Sequence, residues 1–314
     1  MTSPHIAILL ASYQGGAHIG QQLHSIAAQS WRDWSLIVSD DGSRDDTLAV
    51  VADFAAGQPP GRVRVIEGPR QGPTANFLTA LAHAHDGAAI AFCDQDDLWF
   101  PDKLARAAEV MAGDAGPVHY AARTIIADET LRPICGSRRF PRPLGLRNAL
   151  VQAVMAGNAS VFSADAARLL REAAPHALAA GVISHDWWAY QVMAAHGARL
   201  IHDPRPALLY RQHPRSTVGR NDTLPALQSR LAQLMRGEFG HWMKANLRAL
   251  APLEAGMSPE TRETLARCRR MQTLPGPRAA RALLAAGLYR QTRAGTAALV
   301  LSAAAGRLRT GAEG

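Results

Sequence analysis

The run Asp94-Gln95-Asp96-Asp97 places three carboxylates in four residues, with no Lys or Arg before Lys103. Such charges repel one another unless they face water or a cation. Oxygen ligands on one short turn suit a hard divalent ion, Mg2+ or Mn2+, that also grips substrate phosphates. An acidic turn opening a helix accounts for the same residues, because Pro101 and Asp102 are helix-start types. A second acidic run, Asp40-Asp41-Gly42-Ser43-Arg44-Asp45-Asp46-Thr47, also has two readings. Asp-Gly marks a turn, and Ser43 or Asp45 can cap the next helix. Alternatively, a carboxylate there accepts from a nucleobase imide or a ribose hydroxyl.

Ser184-His185-Asp186-Trp187-Trp188 sets a carboxylate between a histidine and two indoles. Partial desolvation by those rings would raise its proton affinity toward that of a general base. A helix N-cap at Ser184 or Asp186, opening a run over 187–195, explains the residues equally well. Tyr13 offers a ring for stacking on a base or for plain packing. Gly15-Gly16 lacks the GxGxxG spacing of a dinucleotide fingerprint. His213, in Arg211-Gln212-His213, has a side chain that binds metal or phosphate or is simply hydrogen-bonded structure.

These residues need a scaffold that brings distant segments together. The runs at 5–11, 34–39, 63–67 and 88–93 read as buried strands, and those at 17–29, 47–55 and 76–84 as helices. This alternation implies an α/β fold, a mostly parallel sheet flanked by helices, which binds ligands at the carboxyl ends of its strands. The polar clusters at 12–14, 40–43 and 94–97 each follow a strand and should converge on one rim. Thr130 to Arg147, basic and rich in proline, predicts a long loop. Beyond Leu208 the strand signals stop. Leu227, Leu231, Leu234 and Trp242 suit an amphipathic helix, and Ala279–Leu308 a helix interrupted by Gly287 and Gly295. A boundary is expected near Gly219.

With 314 residues, 47% of them hydrophobic, the chain can bury a core, which excludes disorder throughout. Cys93, Cys135 and Cys268 are odd in number and widely spaced, which argues against a disulfide scaffold or a zinc finger. The start has no basic n-region of an export signal, and no apolar run reaches the roughly 18 residues of a membrane span, so a cytoplasmic protein is expected. The net charge of +8 is divided unevenly: residues 1–204 hold 16 Lys+Arg against 20 Asp+Glu, and 205–314 hold 18 against 6. A like-charged block marks a surface for phosphates, unless it only reflects coding bias toward arginine.

In order, IAILLASYQ, AQSWRDWSLIVSDDGSRDDT, AFCDQDDLWFPDKL, GNASVF, HDWW and YRQH resemble the family 2 glycosyltransferases of the GT-A fold, in particular the bacterial rhamnosyltransferase-like members. The resemblance covers about residues 5–217. It implies a GT-A catalytic domain over 1–219, with a nucleotide-sugar half over about 1–100 and an acceptor half over about 101–219, followed by a helical Arg-rich extension over 220–314. By resemblance, Ala11 and Tyr13 contact the base and ribose, and Asp41 binds the pyrimidine edge. Asp40, Asp94 and Gln95 join them in nucleotide-sugar binding. Asp96 and Asp94 hold the metal, Mn2+ or Mg2+, with His213 a further metal or diphosphate contact. Asp186 matches the catalytic base, although the usual Glu-Asp is His185-Asp186 here. The Q-x-x-R-W motif of processive synthases is absent.

The implied reaction is a metal-dependent, inverting transfer from a dTDP- or UDP-type sugar, rhamnose favoured, to a hydroxyl of a glycan or lipid-linked acceptor in polysaccharide synthesis. The basic extension would seat the enzyme on the inner membrane face or cap the catalytic domain. Two alternatives stand beside it. A sugar-phosphate nucleotidyltransferase would carry a basic, Gly-rich phosphate loop after the first strand, where this chain has ASYQGGAH. A non-enzymatic phosphate- or lipid-binding module fits the arginines. Nucleic acid is not expected as a partner, since aromatics for base stacking are sparse after residue 220.

Overall fold

The apolar run near the start forms β1 (Ile6–Ser12), in which every residue but Ala11 is buried. Aliphatic side chains on both faces demand cover from both sides. The computed structural model describes residues 4–113, 116–212 and 236–310. They belong to two units: Met1–Arg139, Met155–Ala174 and Ala198–Thr217 make one, and Phe140–Val154, Pro175–Gly197 and Val218–Gly314 the other. The second thus takes in two segments that precede the composition break at Gly219. Gly219 itself, His213, Leu227, Leu231 and Leu234 lie outside the described residues.

In the first unit, β1 is followed by α1 (Ile19–Ala27), which buries Ile19, Leu23 and Ile26 at helical spacing. β2 (Trp34–Asp40), α2 (Thr47–Ala56), β3 (Val63–Glu67), α3 (Pro73–Ala82) and β4 (Ala89–Asp94) continue the alternation. The strands lie in the order β3-β2-β1-β4, all parallel. Beyond β4 the sheet becomes mixed. β5 (Leu98–Trp99), α4 (Lys103–Met111), β6 (Val118–Ala127), β7 (Pro133–Gly136), β8 (Ser160–Phe162) and β9 (Arg199–Arg211) extend it as β4-β8-β6-β9-β5, with β7 paired to β6. β8 runs antiparallel to both β4 and β6, while β6 and β9 are parallel.

Two elements depart from the sequence expectation. The predicted loop over 130–147 contains β7, a strand opened by Pro133 at a sheet edge where a missing N–H costs little. β9 starts at Arg199, well before the apolar stretch at 207–210, although it holds Pro204 and Pro206. Its register against β6 shifts between Ala122 and Ile125, which accommodates them. That irregularity is stapled by Asp203. Tyr120 Oη donates to its Oδ2 at 2.9 Å, Arg106 at 3.0 Å and Arg205 at 2.9 Å. Burial alone would raise the Asp203 pKa, but the donors from Arg205 and Tyr120 and the charge of Arg106 hold it well below the usual carboxylate range.

In the second unit, α5 (Leu146–Ala149), α7 (His185–Ala195), α8 (Glu238–Leu250), α9 (Pro259–Thr273), α10 (Gly276–Ala285) and α11 (Arg293–Ala304) are helical, and α6 (Ala164–Ala180) enters it at Pro175. Trp187 stacks on Phe239 with ring centroids 5.5 Å apart. Over 279–308 the expected interruption at Gly287 is found between α10 and α11, whereas Gly295 lies inside α11 and does not break it. Gly287 adopts φ +67°, a left-handed conformation that ends a helix at little cost in glycine, and Thr292 caps α11 by accepting the Gly295 N–H at 3.0 Å.

Candidate active site

Because β2, β1 and β4 are parallel neighbours, their carboxyl ends share one edge. There Ala11 lies in register with Asp94, and Ser12 with Asp40. Asn76 of α3, buried to 1%, stitches two of these ends by donating to the Ser39 carbonyl at 2.8 Å and the Ser12 carbonyl at 3.3 Å. The loop after β1 is held amide by amide. The N–H groups of Tyr13, Gln14, Gly15 and Gly16 donate in turn to Gln95 Oε1, Ser43 Oγ, Thr47 Oγ1 and Asp45 Oδ2, at 2.8–2.9 Å. Gln14, at φ +49°, returns the favour by accepting from the Arg44 and Asp45 amides. These four N–H groups therefore form no phosphate cradle, unlike a Gly-rich phosphate loop. The Tyr13 ring is 57% exposed on this rim.

Asp40 and Asp41 of the first acidic run are engaged by their own and adjacent segments. Asp40 accepts from the Gly42 and Ser43 amides through Oδ1 and from the Ser12 and Ser43 hydroxyls through Oδ2. Asp41 accepts the Arg70 N–H at 2.6 Å and the Gly72 N–H at 2.8 Å, so it fixes the turn after β3, where Arg70 stands at φ +58°. Asp45 accepts the Thr47 N–H at 3.1 Å at the start of α2, but the N-cap position there belongs to Asp46 rather than to Ser43 or Asp45. Gln95 clamps Tyr13 from both sides, accepting its N–H and donating to its carbonyl at 3.0 Å.

The second acidic run separates into two kinds of carboxylate. Asp94 and Asp96 are half-buried at the strand-end edge. Asp97 is sealed from solvent: Oδ2 accepts Asn158 Nδ2 at 2.7 Å and Oδ1 the Arg211 N–H at 3.2 Å. Burial, aggravated by the charges of Asp94 and Asp96, pushes Asp97 well above the usual carboxylate range. Lys103, also fully buried, donates to the Asn158 carbonyl at 2.7 Å and sits 3.7 Å from the Trp99 ring centroid. Burial pulls its pKa down to about 7, against the opposing charges of Cys93, Asp97 and Asp94. Arg211 braces the turn from β9, its Nε donating to the Asp96 carbonyl at 2.7 Å. Sequence reading noted GNASVF and YRQH without assigning Asn158 or Arg211. Only the fold brings them to the acidic turn.

Asp186 belongs to the second unit, at the first turn of α7. Its Oδ1 accepts the Trp187 N–H at 2.7 Å and the Ser184 hydroxyl, and Ser184 is the N-cap. The two indoles serve the core: Trp187 donates to the Ala149 carbonyl at 2.7 Å, and Trp188 is fully buried. His185 has its Nε2 shut off from solvent, and burial lowers its pKa to about 4 against the raising pull of Asp186.

The family model for glycosyl transferase family 2 matches residues 7–173, more than half of the chain, and takes in both acidic runs. The chain belongs to glycosyltransferase family 2. It is therefore an enzyme that transfers sugars, and its GT-A-like α/β architecture agrees. It is 25% identical over 248 residues to the dTDP-rhamnosyl transferase RfbG of Shigella flexneri, covering 73% of this chain and 80% of that protein. It is 31% identical over 105 residues to an uncharacterized glycosyltransferase of Nostoc, a match that spans only 32% of that relative. Among solved structures, S. aureus TarS 1–349 with UDP-GlcNAc superposes with a TM-score of 0.55 at 13% identity, covering 96% of this chain and 90% of that one. A mannosyltransferase of Pyrobaculum calidifontis, in complex with GDP-Man and Mn2+, gives 0.52 at 20% identity over 98% and 88%. These two likenesses concern the fold.

A divalent cation suits the family 2 edge chemically. Asp94 and Asp96 supply hard oxygen donors, and one or two carboxylates completed by substrate phosphates are what Mg2+ usually takes from a protein. Asp97 is committed elsewhere. Among the described residues, no three His, Cys, Asp or Glu side chains gather as a self-sufficient metal site.

Proposed function

We propose that the chain is an inverting, metal-dependent transferase. It moves a sugar, rhamnose favoured, from a dTDP- or UDP-type donor to a hydroxyl of a glycan or lipid-linked acceptor in cell-surface polysaccharide synthesis. The observation that carries this reading is the register at the strand ends, which sets Ala11 beside Asp94 and Ser12 beside Asp40 on one edge. The donor identity is supported by the likeness to the dTDP-rhamnosyl transferase of Shigella flexneri, which aligns along most of both chains. The Mn2+ in the mannosyltransferase complex supports the metal.

In this reading Ala11 and Tyr13 receive base and ribose, with Asp41 at the pyrimidine edge, and Asp40 and Gln95 keep the surrounding loops in place. Asp94 and Asp96 hold Mn2+ or Mg2+, with His213 as a further ligand. The bound ion would offset the charge of the departing diphosphate. Asp186 takes the acceptor's hydroxyl proton as that oxygen bonds to the anomeric carbon. The bond from that carbon to the diphosphate oxygen breaks, and its electron pair leaves with the nucleoside diphosphate. One displacement of this kind inverts the anomeric centre. The enzyme would work on the cytoplasmic side, peripheral to the inner membrane.

Thermal melting with dTDP and UDP, each with and without Mn2+, tests the donor site, and a panel of nucleotide sugars then tests transfer or hydrolysis. A stabilisation of several degrees that requires the metal is expected. Equal melting with and without nucleotide and metal, together with no turnover of any sugar, would overturn the proposal.

A further inference from the structure

The arginines of the second unit differ in their surroundings. On α9 and its neighbours acids are interspersed with them, and three are paired: Arg267 with Glu263 at 2.6 Å, Arg147 with Glu260 at 3.3 Å, and Arg269 with Glu254. From Gly276 to Thr310 the chain has six arginines and no Asp or Glu. Of these, Arg278, Arg281, Arg293, Arg307 and Arg309 are exposed, and no ion pair is found for them among the described residues.

The same stretch carries the two most exposed large aliphatic side chains of the described residues, Leu284 at 58% and Leu301 at 68%. On α10, Arg278, Arg281 and Leu284 follow one another at three-residue steps, so they share a face. Gly276, Ala279, Ala280 and Leu283 are buried on the opposite side. On α11, Leu299, Ser302 and Ala303 are buried, while Arg293, Ala294, Ala297, Leu301 and Ala304 are exposed. The two helices pack together, with Gly276 lying so close to the Ala304 carbonyl that no side chain fits between them. A water-facing helix surface normally mixes both signs of charge and little leucine. Here it has cations and aliphatics alone, the composition of a surface that lies in an anionic lipid interface. Among the described residues no helix is long and apolar enough to cross a membrane, so the contact would be peripheral.

We infer that the outer faces of α10 and α11 dock on a bilayer rich in anionic headgroups, with Leu284 and Leu301 entering the acyl boundary and Arg278, Arg281 and Arg293 meeting phosphates. This deepens the proposed function, resting on it for purpose but not for the binding itself.

Flotation of the full chain with phosphatidylcholine vesicles, with and without phosphatidylglycerol, tests the inference. The wild type should float only with the anionic vesicles. Arg278→Gln/Arg281→Gln should reduce partitioning roughly 10- to 30-fold, and Leu284→Ser/Leu301→Ser at least about tenfold. Arg262→Gln/Arg267→Gln on α9, the same change in charge, should leave it within about twofold. Circular dichroism checks that each variant is folded. Flotation on neutral vesicles, no flotation at all, or an equal loss in the α9 control would overturn the inference, as would unchanged binding of the leucine variant or preferential capture by DNA fragments. Hydrolysis of a soluble donor sugar, measured in the same samples, keeps the two readings apart. Vesicle binding without turnover defeats the transferase reading alone, and turnover without vesicle binding defeats this one alone.

Discussion

The two acidic turns look alike in sequence but are built differently. After β2, Asp40 and Asp41 both turn their oxygens onto N–H and O–H donors of adjacent loops. After β4, that service falls to Asp97, anchored by Asn158 and Arg211, while Asp94 and Asp96 stay at the edge. Neighbouring carboxylates can be tolerated by donors supplied from within or by a cation supplied from outside; the first turn uses donors, and in the proposed function a cation serves the second. Replacements in the first turn should therefore act mainly on stability, and those at Asp94 and Asp96 mainly on chemistry.

The sharpest break of that contrast would be at Asp96. Asp96→Ala is expected to lower turnover by about 1000-fold, the scale of lost metal assistance, while thermal melting moves by no more than about 2 °C. A variant with normal turnover would remove the second turn's chemical role. Asp186→Asn, outside both turns, should lower kcat by about 100-fold or more yet leave nucleotide affinity intact, which isothermal titration can check. The opposite pattern belongs to Asp40→Ala. Four donors lose their acceptor, so denaturant unfolding should report a loss of about 2–4 kcal/mol. A loss no greater than that of Asp94→Ala would erase the distinction.

A smaller effect concerns pH. Burial, with some help from His202, lowers His119 to about 3, and burial lowers His185 to about 4, from an ordinary 6.5. Between those values and 6.5 the unfolded chain binds protons that the folded chain refuses, so stability is lost as pH falls through that window. His119→Gln should flatten the acid limb of melting temperature against pH, and an unchanged slope would refute the assignment. Least disturbing should be Gly15→Ala, whose methyl meets the Gln95 amide. It should raise the donor KM a few-fold with kcat nearly unchanged.

Much of this was legible in the sequence. The aliphatic runs at 34–39 and 88–93 became β2 and β4, and the polar residues behind them stand at one edge. What escaped depends on distance in the chain. Asn158 and Arg211 are ordinary polar residues until strands β8 and β9 bring them to Asp97, 61 and 114 positions away. β7 escaped for a local reason: prolines and arginines signal a loop, and only its pairing with β6 makes a strand of Pro133–Gly136. The tryptophans after Asp186 drew attention as desolvating rings, whereas Trp188 is wholly core and Trp187 stacks on Phe239, a partner remote in sequence.

The loop from Tyr13 to Gly16 has a corollary for how a donor sugar would be paid its counter-charge. With all four peptide hydrogens already claimed by side chains, that loop has nothing left to lend an incoming anion. In the proposed reading, neutralisation at this corner would therefore fall to the cation at Asp94 and Asp96. Chelation should consequently silence the enzyme outright rather than merely slow it, with no residual turnover sustained by the backbone.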